Sequence, residues 1–139
     1  MISIENLSKS FGGEVIFDKA TFRINARERV GLVGRNGHGK TTLFRIITGH
    51  EAHDGGVLHI PKQYRIGYVE QHLRFTEDTL LEEGMTRLPA PEADQAWKVE
   101  KILTGLGFSM ADMQRRPDEF SGGYQVRLNL AKVLVAEPN

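Results

Sequence analysis

The sequence predicts an α/β fold in which a β-rich first part, a strand–loop–helix unit and a helical second part follow one another. Alternating and β-branched stretches fill residues 2–24. A glycine-rich loop, "GRNGHGKTT" at 34–42, follows an apolar run of strand length, and apolar residues at helical spacing dominate after residue 72. Alternation indicates strands, whereas a spacing of three to four residues indicates helices. This order argues against an all-β or an all-α domain.

The predicted strands are short and are separated by turn signals. "GG" at 12–13 and "HDGG" at 53–56 mark turns. "RVGLVG" is a continuous apolar run, which predicts a strand buried on both faces. The segments assigned to strands are "ISIENL", "VIF", "TFRI", "RVGLVG", "VLHI" and "RIGYVE".

Helices are predicted from apolar spacing and from capping residues. A helix opening near Lys40 ends before Gly49, and "TLLEEGMTR" predicts a short helix. "EADQAWKVEKILTGLG" follows Pro91 and places apolar residues on one stripe, and "SMAD" is typical of a capping box. The final helix, "SGGYQVRLNLAKVLV", carries Val126, Leu130, Val133 and Leu134 on one face.

Composition excludes several classes of protein. The 139 residues contain 18 Lys and Arg against 18 Asp and Glu, so the net charge is zero and no global field attracts nucleic acid. With no cysteine, neither a disulfide framework nor a thiolate zinc site is available. The sequence shows no signal peptide and no apolar stretch long enough to cross a membrane. We therefore expect a soluble, cytoplasmic protein.

The loop at 34–42 matches the phosphate-loop pattern G-x-x-x-x-G-K-[ST] at every position. Glycines let successive backbone N–H groups point at phosphate oxygens, and the helix that follows adds the positive end of its dipole. Lys40 can then reach the β and γ phosphates, and the Thr41 hydroxyl can bind Mg²⁺. The alternative is a chance glycine-rich turn, but the preceding strand and following helix are the context that the motif requires. The predicted nucleotide-binding residues are Gly34, Arg35, Asn36, Gly37, His38, Gly39, Lys40, Thr41 and Thr42, with only the backbone of His38 assigned a role.

A second motif, "FSGGYQVRLNLA" at 120–131, narrows the prediction. Alone, it could be an ordinary serine-capped helix start. Together with the phosphate loop it resembles the signature motif of ABC-type ATPases, with Phe120 and Tyr124 in place of the usual Leu and Gln. The resemblance implies that the motif contacts ATP bound to a second cassette. The residues concerned are Ser121, Gly122, Gly123, Tyr124 and Gln125.

Two further residues match the resembled family in order. Phe11 lies 23 positions before Gly34 and matches the aromatic residue that stacks on adenine, although a core Phe is the alternative. Gln71 ends "YVEQ" and matches the Q-loop glutamine, which in that family contacts Mg²⁺ and the attacking water. Its alternative is an ordinary polar residue at a strand end.

The resemblance extends over the chain and is strongest to the first cassette of ABC-F proteins, which are soluble twin-cassette ATPases acting mainly on ribosomes. It implies ATP and Mg²⁺ as cofactors, and a second cassette, in the same full-length chain or in a dimer mate, and a ribosome as partners. One departure is that 49 residues separate Gln71 from Ser121, which leaves little room for the long helical arm of many ABC-F cassettes. The ATP-binding subunit of an ABC transporter is therefore the alternative, and a pure interaction module is disfavoured by the intact Lys40 and Thr41.

The acidic pair that hydrolysis requires is not evident in the sequence. Glu70 and Glu137 each follow an apolar run, but Glu70 precedes the Q-loop glutamine and Glu137 ends the signature helix. The resemblance places the acidic pair and a switch histidine after Asn139, so we expect this chain to bind ATP without hydrolysing it efficiently. It also implies an ABC ATPase core with an antiparallel β subdomain, a helical subdomain and an incomplete core sheet, whose exposed edges favour self-association.

We expect three parts along the chain. Residues 1–72 contain the β subdomain, phosphate loop and Q-loop, residues 73–120 the helical subdomain, and residues 121–139 the signature motif and its helix.

Overall fold

The computed structural model describes residues 1–35, 39–70 and 72–139. These residues form two compact units, Met1–Tyr64 and Arg65–Asn139. Each unit has its own apolar core.

The first unit is built on a three-stranded antiparallel sheet. Strand β1 (Ile2–Phe11) lies between β2 (Glu14–Ile24) and β3 (Gly55–His59). Gly12 and Gly13 both have positive φ, which lets the chain turn tightly from β1 into β2. The antiparallel β subdomain that the sequence predicts is thus present, with "VIF" and "TFRI" forming one strand.

Helix α1 (Lys40–Ile47) packs on this sheet through an apolar face. Leu43 and Ile46 are buried against Ile4 and Leu7 of β1. The helix ends where predicted, because Gly49 has a φ of 80°, a conformation that closes helices and suits glycine.

The predicted strand "RVGLVG" is not a strand in the structure. Residues 29–35 form no ladder with any described segment, and Val33 is 95% exposed. A strand exists only through hydrogen bonds to a neighbour, and an apolar run indicates burial rather than a pairing partner. The prediction for "RIGYVE" is wrong for the same reason: residues 65–70 are irregular, although Arg65 exchanges backbone and side-chain hydrogen bonds with Asn139.

The second unit is helical. Its helices are α2 (Leu80–Met85), α3 (Ala96–Gly105) and α4 (Gly122–Val135). Thr79 caps α2, because its hydroxyl accepts the Glu82 N–H. Short 3-10 turns at Ala90–Glu92, Asp112–Gln114 and Pro117–Glu119 connect the helices. The predicted capping box is formed: Ser109 and Asp112 exchange side-chain to backbone hydrogen bonds of 2.9 and 3.2 Å.

Helix α4 buries a different face from the apolar one that the sequence indicates. Leu128, Ala131 and Val135 lie in the core with Leu103 of α3, whereas Val126, Leu130 and Leu134 are exposed. The helix continues through "KVLV" as predicted, but an apolar stripe alone does not identify the side that meets the core.

Candidate nucleotide-binding site

Gly39, which joins the phosphate loop to α1, cannot easily be replaced by another residue. Gly39 has a φ of 93° and is buried where the chain enters α1. A Cβ at this position would collide with Ile16 and press against Phe17, two residues of β2. The start of α1 can therefore lie close against the sheet only because Gly39 has no side chain.

The first turn of α1 is suited to an anion. Gly39 supplies no side-chain cap and the first turn of α1 (Lys40–Ile47) contains no acidic residue, among the residues described. The uncapped N–H groups and the positive end of the helix dipole together favour a phosphate.

Lys40 folds back across the loop that precedes it. Its ammonium donates to the carbonyl oxygen of Gly34 and, at 3.0 Å, to that of Arg35. The ammonium thus lies against the described start of the loop, where phosphate oxygens can replace the carbonyls as acceptors.

The neighbouring predicted residues have the exposure that a metal–nucleotide complex needs. The Thr41 side chain is exposed in the first turn of α1, and Thr42 is half-buried beside it. One hydroxyl suits Mg²⁺, which keeps several waters and takes other ligands from the phosphates themselves. Asn36, Gly37, His38 and Gln71 lie outside the described residues.

Phe11 is at the tip of the hairpin in the same unit. It is the last residue of β1, pairs with Glu14 and is 44% exposed. It is thus not buried in the core of the sheet, and its exposed ring surface could stack on a base.

The signature motif forms the start of α4. Ser121 is its N-cap, is exposed and makes no side-chain capping bond to a described residue; Gly122 and Gly123 follow it in the helix. Gln125 donates to the carbonyl oxygens of Phe120 and Pro117 at 3.0 and 3.4 Å, which fixes the chain just before Ser121.

Tyr124 anchors the same turn from the other side. Its ring lies 5.4 Å from that of Phe108, and the Arg127 guanidinium lies over it at 4.8 Å. Arg127 also donates to the Leu106 carbonyl at 3.2 Å. Tyr124, which replaces the usual Gln of the motif, therefore belongs to an aromatic cluster that supports the start of α4.

A buried charge pair beneath α4 has no counterpart in the sequence prediction. Lys132 donates to Glu83 at 2.7 Å, and Glu83 is 1% exposed. The other Glu83 oxygen accepts the backbone N–H groups of Thr76 and Glu77 at 3.0 and 2.8 Å. Burial raises the pKa of Glu83, but the bonds from Lys132, Glu77 and Thr76 outweigh it and hold that pKa below its ordinary value of 4.5.

Helix α4 also contacts backbone carbonyls before and after position 71. Asn129 donates to the Glu70 carbonyl at 3.3 Å, and Lys132 is 3.5 Å from the Arg74 carbonyl. A cavity of about 400 Å³ opens between these residues. The only sequence signal of this arrangement is that an Asn and a Lys stand three residues apart on one side of α4. Periodicity alone does not show whether such a side faces the core or the solvent.

The structure describes both glutamates, Glu70 and Glu137, that were set aside as candidate acids. The Glu70 side chain is exposed, and Glu137 lies two residues beyond the end of α4, with Arg65 3.4 Å away. No cluster of three His, Cys, Asp or Glu side chains that could hold a metal occurs among residues 1–35, 39–70 and 72–139. Within the same ranges, no helix is long and apolar enough to cross a membrane.

Comparison with known proteins gives a consistent family. The family model of ABC transporters matches residues 17–139. The chain is 32% identical to the probable ATP-binding protein YheS of Escherichia coli K12, over all of this chain and 22% of that protein. It is 32% identical to the energy-dependent translational throttle protein EttA of the same strain, over 96% of this chain and 25% of that protein.

A plant relative and a solved structure extend the comparison. The ABC transporter F family member 5 of Arabidopsis thaliana is 29% identical over 99% of this chain and 26% of its own length. The dimeric structure of MJ0796, a bacterial ABC transporter cassette, superposes with a TM-score of 0.81 at 22% identity, over 99% of this chain and 71% of that one. The chain spans about a fifth to a third of the length of these and other curated relatives.

Proposed function

Since the chain belongs to the ABC family of ATP-binding cassettes, we propose that it binds Mg-ATP through Phe11 and the phosphate loop. The observation that carries the proposal is the first turn of α1, uncapped among the described residues, with Lys40 folded over the loop carbonyls. The adenine stacks on Phe11, backbone N–H groups of residues 34–42 hold the phosphates, and Lys40 neutralises their charge. Thr41 and Gln71 would hold Mg²⁺, which when bound would neutralise part of the phosphate charge.

We propose that Ser121, Gly122 and Gly123 act on ATP held by a second cassette. Support comes from the position of Ser121, exposed at the N-terminus of α4, and from the fold shared with a dimeric cassette. Two nucleotides between two cassettes would then drive closure, and hydrolysis in the complete protein would reverse it. In this scheme residues 1–72 bind nucleotide, 73–120 form the helical part, and 121–139 complete the partner's site.

For the biological role we propose ABC-F-type action on the ribosome by a cytoplasmic protein. The support is the similarity to EttA, named a translational throttle, and to an ABC transporter F family member. The second candidate is the ATP-binding subunit of a transporter, favoured by the fold shared with the cassette of a putative metal-chelate type ABC transporter.

Exposed apolar residues such as Val30 and Val33 also support our expectation that the 139-residue chain alone self-associates.

Replacement of the loop lysine tests nucleotide binding. In the complete protein, Lys40→Ala should abolish ATP binding at this cassette and nucleotide-dependent association, because it removes the ammonium that lies against the loop carbonyls of Gly34 and Arg35. Lys101→Ala, at an exposed lysine of α3, is the control and should bind as the unmodified protein does. Unchanged ATP affinity in Lys40→Ala would contradict the assignment.

A charge placed at the signature serine tests action in trans. Ser121→Arg should leave ATP binding to a single cassette intact while blocking closure, measured as nucleotide-dependent compaction by small-angle scattering. Met110→Arg, which places the same charge at another exposed residue of the second unit, should close normally. Loss of single-cassette binding in Ser121→Arg would contradict a role in trans.

The biological role is tested by co-sedimentation. With a non-hydrolysable ATP analogue, the complete protein should sediment with ribosomes, and Lys40→Ala should not. Nucleotide-dependent association with a membrane subunit in place of ribosomes would favour the transporter alternative.

A further inference from the structure

A nearly buried lysine lies behind the ring proposed to stack on adenine. Lys9 is two residues before Phe11 on β1, so both side chains project from the same face of the strand. The Lys9 ammonium lies over the Phe11 ring, 4.6 Å from its centroid, and the residue is only 8% exposed. A cation over an aromatic face is attracted by the ring's quadrupole and restricts the ring's orientation.

Two carboxylates hold this ammonium in place. Glu51 is 3.2 Å and Asp54 is 3.9 Å from the Lys9 nitrogen. Asp54 is itself fixed to β1, because its other oxygen accepts the Ser10 N–H at 2.8 Å and lies 3.3 Å from the Ser10 hydroxyl. Lys9 therefore has charged partners on one side and the Phe11 ring on another.

The same ion pair leads to the helix that follows the phosphate loop. The second Glu51 oxygen is 3.9 Å from the Arg45 guanidinium, and the Glu51 N–H donates to the Arg45 carbonyl at 3.1 Å. Arg45 lies in the last turn of α1, the helix that begins at Lys40. A chain of contacts thus runs from the Phe11 ring through Lys9 and Glu51 to the phosphate-loop helix.

We propose that Lys9 is a positioning residue for nucleotide binding: held by Glu51 and Asp54, it fixes the Phe11 ring as a platform for the base. The inference rests on the proposed function, since it requires a nucleotide whose base meets Phe11 while its phosphates meet α1. Because it is only 8% exposed, Lys9 is assigned no direct contact with the base or the phosphates. It acts by fixing one ring relative to the loop, which lowers the ordering cost of binding.

The test compares a ligand that has a base with one that lacks it. Lys9→Met keeps the length of the side chain and removes the charge. In the complete protein we expect it to weaken ATP binding about three- to tenfold while leaving the affinity for inorganic tripolyphosphate unchanged. In steady-state ATPase assays the KM for ATP should rise with kcat unaltered, and Lys9→Arg, which retains a cation, should restore part of the affinity.

Lys62→Met, at an exposed lysine of the same unit, is the matched control and should bind both ligands as the unmodified protein does. Equal weakening of ATP and tripolyphosphate by Lys9→Met, or no weakening of either, would overturn the inference. If Lys9→Met does not fold, Glu51→Gln with Asp54→Asn decides the matter, because it keeps the shape of the cluster and releases the Lys9 ammonium. That variant should also weaken ATP selectively, and an unselective result would equally overturn the inference.

Failure of the inference is distinguishable from failure of the proposed function. Phe11→Ala should weaken ATP and spare tripolyphosphate, and Lys40→Ala should weaken both. If those two variants behave as expected and Lys9→Met has no effect, only the role of Lys9 is wrong. If Phe11→Ala leaves ATP binding unchanged, the base platform itself is wrong.

Discussion

The phosphate-loop helix α1 has a glycine as its N-cap and the signature helix α4 begins with two glycines, yet different forces hold the two helices. Helix α1 is anchored by apolar contacts, with Leu43 and Ile46 buried on the sheet. Helix α4 has an apolar face too, but Lys132 also inserts an ammonium against the buried Glu83 carboxylate. Apolar contacts are non-directional and lose energy in proportion to what is removed, whereas a buried charge without its partner is costly at once.

The largest effect should come from breaking the charge pair. Lys132→Met leaves the Glu83 carboxylate buried without its cation, so the opening free energy of α4 should fall by about 3–5 kcal/mol. Hydrogen exchange of α4 amides in the complete protein measures this. Arg116→Met, which removes the exposed pair with Asp118, is the control and should change little.

The double variant Glu83→Gln/Lys132→Met sharpens the result. Its neutral amide oxygen can still accept the Thr76 and Glu77 N–H groups, so part of the lost protection should return. Additive losses would show that the two side chains do not act as a pair.

Apolar anchoring of α1 should respond by degrees. Leu43→Ala should lower the opening free energy of α1 by about 2–5 kcal/mol, because it removes buried contacts and leaves a cavity. Leu43→Met, which nearly conserves volume, should cost less than about 1.5 kcal/mol. If both substitutions cost the same, graded apolar packing would be the wrong description of this helix.

The junction of loop and helix should be sensitive to a single methyl group. Gly39→Ala combines a positive φ with a collision against Ile16 and Phe17, for which we expect about 1–3 kcal/mol and weaker ATP binding. Gly49→Ala is a matched control, because its φ is also positive while no described atom lies within 4 Å of the added carbon. Equal losses in urea unfolding would mean that backbone conformation, and not contact with β2, makes Gly39 necessary.

The smallest expected effect is the pH dependence that Glu83 gives to the second unit. Because the Glu83 pKa lies below its ordinary value of 4.5 in the folded state, the unfolded state binds the proton more readily. The contribution of Glu83 is therefore complete above about pH 4.5 and is lost as pH falls through the folded pKa. Protection of α4 should decline in that acidic range, and Glu83→Gln should abolish this part of the decline. A decline unchanged in Glu83→Gln would assign it to other groups.

Local patterns predicted most of the regular elements. Alternation located β1, the "GG" turn located its hairpin with β2, and helical spacing located α3 with Val99 and Leu103 buried. These predictions succeed because side-chain periodicity and turn conformation are properties of short segments. The strands expected at 29–34 and 65–70 are not formed, because pairing depends on a partner that the segment does not contain.

By itself, the sequence determined the phosphate-loop and signature patterns and the family to which the chain belongs, since these depend on residue types at fixed spacing. Only the tertiary structure decided that Lys9 lies behind Phe11 and that Lys132 meets Glu83, 49 positions away in the chain. A charged residue reads as a solvated one in any local pattern. Whether it is buried depends on partners that folding brings from distant segments, and those partners make its burial possible.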